Sequence, residues 1–176
     1  MSDNAWAEAI EAVCIVVIRD GDRGAILDAM GASRASEHAA TFREAEAAWD
    51  ADAVPVQLWT TGRFSIVVEP NGYQGSLEET LVALAPKQDA VSLFWNANAE
   101  MQVMVLEGGK VVRTFDPLMY DDGEPPLAEE SGLPFGTDDG DLQAAVLTFL
   151  ERRLGFVLTE KALLDEAHPT FAGKSA

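Results

Sequence analysis

The chain has 176 residues, of which 30 are acidic and 12 basic, giving a formal net charge of −18 and an isoelectric point near 4.2. Hydrophobic residues make up 48%, enough to bury the core of one domain and too many for a disordered tail. The charge excludes a basic patch for nucleic acid or anionic membrane, and the single Cys14 excludes both an intramolecular disulfide and a four-ligand cysteine metal site.

The opening "MSDNAWAEAIEA" is acidic and has no long apolar core, so no signal peptide is expected. No apolar run approaches the roughly 20 residues of a membrane span. The expected setting is the cytoplasm. Residues 3–12 read as a short amphipathic helix with Trp6 and Ile10 one turn apart. "AVCIVVIRD" (12–20) is β-branched and continuously apolar, which predicts a central strand covered on both faces, with Cys14 a buried, inert thiol. "GDRGAILDAMGAS" predicts a short helix stopped at Gly31. "TFREAEAAWDAD" (41–52) predicts a second, with Phe42, Ala45 and Trp49 on one face.

Strands near 54–60 and 63–69 follow, joined at Thr61-Gly62 in a tight hairpin. After "EPNGYQGSLEE" comes a helix over 76–85. A three-strand meander, "AVSLFWNA", "EMQVMVLEG" and "KVVRTFD", turns at Asn96-Ala97-Asn98 and at Gly108-Gly109. Residues 117–140 dissolve into a long Pro-, Gly- and acid-rich loop. "DLQAAVLTFLERR" (141–153) predicts a helix with Leu142, Val146, Phe149 and Leu150 on one face. "TEKALLDEAHP" predicts a last short helix. The expected organisation is one α+β domain over 1–170, with helices on a mostly antiparallel sheet of five to six strands, and a flexible tail at 171–176.

Residues 66–81, "IVVEPNGYQGSLEETL", place a strand, a Gly-rich loop and a helix start in the order that can cradle a phosphate. The details argue for a corner instead. No Gly-Lys-Ser/Thr ending is present, and Glu78 and Glu79 already occupy the helix start. Gly72 is expected at positive φ, and Ser76 with Glu79 is expected to form a capping box.

The blocks "VEPNGYQGS", "AVSLFWNANAE" and "GKVVRTFDP" resemble the recurring blocks of a family of uncharacterised small proteins from GC-rich Gram-positive bacteria, a domain of unknown function. The resemblance spans about residues 13–120. It implies one domain in a cytoplasmic setting and transfers no catalytic residue.

His38 and His168 are the only histidines, and neither sits in a zinc motif or a nucleophile-elbow context. "GTDDGD" lacks the ligand spacing of a calcium loop and reads as a helix N-cap. Glu69 and Asp116 each precede a Pro at a strand end. If their strands were neighbours, the two acids could bind Mg²⁺ or Ca²⁺, or do acid/base work; the simpler reading has each acid starting its own turn.

The leading expectation is a non-enzymatic protein-binding module, of inhibitor or immunity type, acting on a basic partner without a cofactor. Its candidate binding residues are Tyr73 and Gln74 at the loop tip, Trp59 and Trp95 as parts of a groove, and the loop acids Asp121, Asp122 and Glu124. The acidity fits solubility in a salty cytoplasm equally well. The alternative is a metal-assisted enzyme built on Glu69, Asp116 and the 121–124 acids.

Overall fold

The computed structural model describes residues 4–120, 125–137 and 140–174. Among these described residues, eight strands form one sheet: β1 (Val13–Arg19), β2 (Ser33–Ala40), β3 (Val54–Thr61), β4 (Phe64–Pro70), β5 (Ala90–Trp95), β6 (Met101–Glu107), β7 (Lys110–Phe115) and β8 (His168–Gly173). Their spatial order is β2-β8-β3-β4-β1-β5-β6-β7, and all seven pairings are antiparallel. The α+β class therefore holds, while the expected five to six strands become eight.

The two extra strands are those with the weakest patterns. β2, "SRASEHAA", contains no large apolar residue and lies mostly exposed at the sheet edge. β8 covers residues expected as a helix end and a frayed tail. Its Phe171 is 1% exposed, and it sits between β2 and β3. Pro169 in β8 faces Ala39 of β2, and Pro55 of β3 faces Ala172 of β8. Such prolines argue against a central strand when the sequence is read alone.

β1 lies within the sheet, bonded to β4 and β5, and every residue from Val13 to Ile18 is buried. Alternate residues feed two cores. Ile15, Val17, Ile66, Val68, Leu93 and Val105 face helix α4 (Leu142–Leu154), where Phe149 completes the cluster. Cys14, Val16, Ile18, Val56, Leu58 and Val67 face the opposite way, with Ile26 and Leu27 of α1 (Arg23–Ala29) and Leu81 and Leu84 of α3 (Glu78–Leu84). The strand read as covered on both faces is so covered. Val16 consequently belongs to a different core from Val17. No helix among the described residues is long and apolar enough to cross a membrane.

α4 starts at Asp141, whose Oδ1 accepts from the Ala144 N–H at 2.8 Å, as the N-cap reading expects, and it stops at Gly155 with φ 68°. Helix α2 (Phe42–Ala47) ends well before residue 52, which releases Trp49 from the core face expected for it.

Candidate functional site: an aromatic cleft over a buried carboxylate

The Gly-rich loop closes over an anion that the protein supplies itself. Glu69 stands directly across from Cys14 in the β1–β4 register, on the α1/α3 face of the sheet, and is completely buried. The N–H of Gln74 donates to its Oε1 at 3.0 Å, and the N–H of Gly75 to its Oε2 at 2.7 Å. The Cys14 thiol hydrogen-bonds to the same carboxyl. Ser92, next on this face, donates to the Gly75 carbonyl at 2.8 Å. The geometry is that of a backbone anion nest, with Glu69 in the ligand's place.

The glycines follow from this closeness. A Cβ at Gly75 would stand 2.6 Å from Val16 Cγ2 and 3.2 Å from Glu69 Oε2; one at Gly72 would stand 2.7 Å from Glu69 Cβ and 3.1 Å from its Oε1. The positive φ expected at Gly72 falls instead on Asn71, at 56°, where an amide side chain tolerates it. The expected capping box is absent: α3 is preceded by Leu77 with no side-chain cap, and the Ser76 hydroxyl donates to the Tyr73 carbonyl at 2.7 Å.

Burial pushes the Glu69 carboxyl up to about 7, against the lowering effect of its three hydrogen bonds. Burial first, and then the Glu69 charge, push the Cys14 thiol up as well, which keeps it unreactive. Glu69 has no ion-pair partner among the described residues.

Outside this nest lies a small, mostly apolar cleft of about 80 Å³, lined by Trp49, Ala51, Val54, Asn71, Gly72, Tyr73 and Gln74. Trp49 is 41% exposed and Tyr73 46%, both unusual for aromatic side chains flanking one depression. Asp50 and Asp52, on either side of Ala51, are exposed and form no ion pair among the described residues.

A family model described as a family of unknown function, DUF6461, matches residues 1–172. The chain belongs to this family. Comparisons with curated proteins and with solved structures yield no match.

In this family member the other sequence-selected residues disperse. Tyr73 and Gln74 come together, and the aromatic beside them is Trp49 rather than Trp59 or Trp95. Trp59 stacks on His168 with ring centroids 3.8 Å apart and planes 9° from parallel. Trp95 is 1% exposed and donates its Nε1–H to the Ile10 carbonyl at 2.8 Å. Strands β4 and β1 separate the two tryptophans.

Glu69 and Asp116 also part. β4 and β7 are separated by β1, β5 and β6, four steps of about 4.8 Å, or roughly 19 Å. Asp116 accepts from the Leu118 and Met119 N–H groups at 2.8 and 3.3 Å, so it starts its own turn. Asp121, Asp122 and Glu124 lie outside the described residues. No group of three or more His, Cys, Asp or Glu side chains that could hold a metal exists among the described residues.

The remainder of the long loop is strapped to the sheet. Arg113 of β7 pairs with Glu130 through Nε–Oε1 and Nη2–Oε2 contacts of 3.0 Å each, and Tyr120 donates to Glu130 Oε2 at 2.6 Å. Burial opposes ionisation of Glu130, but the Arg113, Tyr120 and Leu127 hydrogen bonds hold its carboxyl below the usual range.

Proposed function

We propose that this protein is a non-enzymatic binding module that takes a basic side chain of a protein partner into the cleft between Trp49 and Tyr73. One observation carries the reading: two exposed aromatics flank a cavity of about 80 Å³ whose lining residue Ala51 stands between two exposed acids, Asp50 and Asp52, that form no ion pair among the described residues. That volume is about two to three waters' worth, the size of a side-chain head group. Aromatic faces attract cations, and the neighbouring acids favour the same charge. The net charge of −18 draws a basic partner from a distance and raises the association rate. The long acidic loop contributes less to this reading than its composition suggests, because Glu130 is committed to Arg113. Glu69 and Asp116, the acids of the metal-assisted alternative, belong to β4 and to the turn after β7, which is not a neighbour of β4.

The test is a titration with acetyl-tetralysine amide, followed by NMR on the Trp49 indole and the Tyr73 ring. Saturable shifts at both, absent with a norleucine tetrapeptide and lost in Trp49→Ala, are expected. Equal binding of the uncharged peptide, or shifts indifferent to Trp49, would overturn the reading.

A further inference from the structure

The cleft and the nest share a wall. Gly72 and Gln74 line the cleft, the Gln74 N–H is bonded to Glu69, and Gly72 has no side chain to separate the two. A Cβ placed at Gly72 would meet Glu69 Oε1 at 3.1 Å on one side and Val54 Cγ1, itself a cleft residue, at 3.2 Å on another. A fully buried carboxylate therefore sits immediately behind a surface cavity, with no cation of its own among the described residues. Buried carboxylates are ordinarily paired, and an unpaired one is costly to ionise.

We propose that Glu69 is the specificity-determining anion of the cleft: a cationic head group seated between Trp49 and Tyr73 pairs with its carboxylate, and binding of that cation displaces the carboxyl proton. This rests on the reading of the cleft above and adds to it the buried charge and the proton coupling. The groups facing Glu69 allow it. They are the Cys14 thiol on β1 and the Gln74 and Gly75 N–H groups, with the Ser92 hydroxyl on β5 one contact further, bonded to the Gly75 carbonyl, and the Val16 and Val54 side chains beside Gly75 and Gly72. None is a cation. Burial already holds the Glu69 carboxyl at about 7, so a modest opposing charge is enough to shift it. In the low-dielectric wall that charge is felt across several ångströms. The step balances: the carboxyl O–H bond breaks, its proton goes to solvent, and the incoming ammonium keeps its own proton, since a lysine titrates near 10.

The experiment is calorimetric titration of acetyl-tetralysine amide at pH 6, 7 and 8, in two buffers of different ionisation enthalpy, at constant ionic strength. Affinity should rise about tenfold from pH 6 to pH 8, with proton release at pH 6 that fades by pH 8. Glu69→Gln should bind more weakly with a flat profile, while leaving His38 and His168 in place. In case that variant folds poorly, ¹³C NMR of the wild-type Glu69 carboxyl gives a second reading: its titration midpoint should fall when the peptide is added. If the peptide binds in a Trp49-dependent manner but with no pH dependence and no movement of the Glu69 resonance, the proposal about Glu69 fails and the cleft reading stands. If it binds at no pH, both fail.

Discussion

The backbone N–H of Gly75 reaches 2.7 Å to the Oε2 of Glu69, beneath a loop that has the composition of a phosphate cradle. The donors that such a loop would aim at a ligand are aimed inward, at a carboxylate six residues earlier in the chain. This contact determines which residues the loop can carry.

Gly75→Ala forces a Cβ to within 2.6 Å of Val16 Cγ2 and 3.0 Å of Cys14 Sγ. Both are packed on the α1/α3 face of the sheet, so the added methyl overpacks a dense core. A loss of about 1–3 kcal/mol is expected in urea unfolding. Wild-type stability would show that the nest can expand.

Glu69 makes stability fall as pH rises. Its carboxyl titrates near 4.5 when unfolded and at about 7 when folded, so between those values the folded chain holds a proton that the unfolded chain has lost. At 1.36 kcal/mol per pH unit, the contribution lost from pH 4.5 to 7 is about 3 kcal/mol. Glu69→Gln should therefore gain on the wild type by about that amount across the window, measured as the difference between two urea series. A difference that does not change with pH would place the folded titration elsewhere.

Glu130→Ala should be among the costliest single changes. It leaves the Arg113 guanidinium, 4% exposed, without the carboxylate that holds it bidentately. A loss of about 3–5 kcal/mol is expected. The double variant Arg113→Met, Glu130→Leu should recover most of it. Thermal unfolding of the three proteins checks this, and failure of the double variant to recover would mean that the pair does more than fill its site.

Asp141→Ala removes the acceptor of the Ala144 N–H at the start of α4. About 1 kcal/mol should be lost. Ser76→Ala should cost less, because the Ser76 hydroxyl does not cap α3 and its one hydrogen bond among the described residues goes to the Tyr73 carbonyl. Equal losses at the two positions would contradict the assignment of caps.

Strong periodicity was readable from the sequence. β1, the β3–β4 hairpin, the β5–β7 meander and α4 all carry apolar patterns that local physics interprets correctly. β2 and β8 carry no such pattern, because backbone pairing holds them and their neighbours supply the burial. Tyr73 and Gln74 were recognisable from their place at a loop tip. Trp49 was not, since its spacing from Phe42 and Ala45 suits a helix that in fact stops at Ala47. The turn at Asp50-Ala51-Asp52, where the Asp52 N–H donates to Asp50 Oδ1, was the available clue. Glu69 looked like a turn-starting acid before a Pro. Only the register that sets it opposite Cys14 under the loop reveals a buried charge.

The last strand in chain order fills a slot between two of the first three. β2 ends at Ala40 and has β8 as its neighbour, yet β8 begins only at His168. On the ribosome, β2 emerges before β8 and must wait for that partner while residues 41–167 are made. Its polar, alanine-rich sequence suits that wait, because an unpaired strand of apolar residues would invite nascent chains to stick to one another. β3 meanwhile pairs at once with β4 and keeps its other edge open for β8. Vectorial synthesis can therefore build the centre of this sheet early, but the β2 side closes only when the strand at His168–Gly173 arrives.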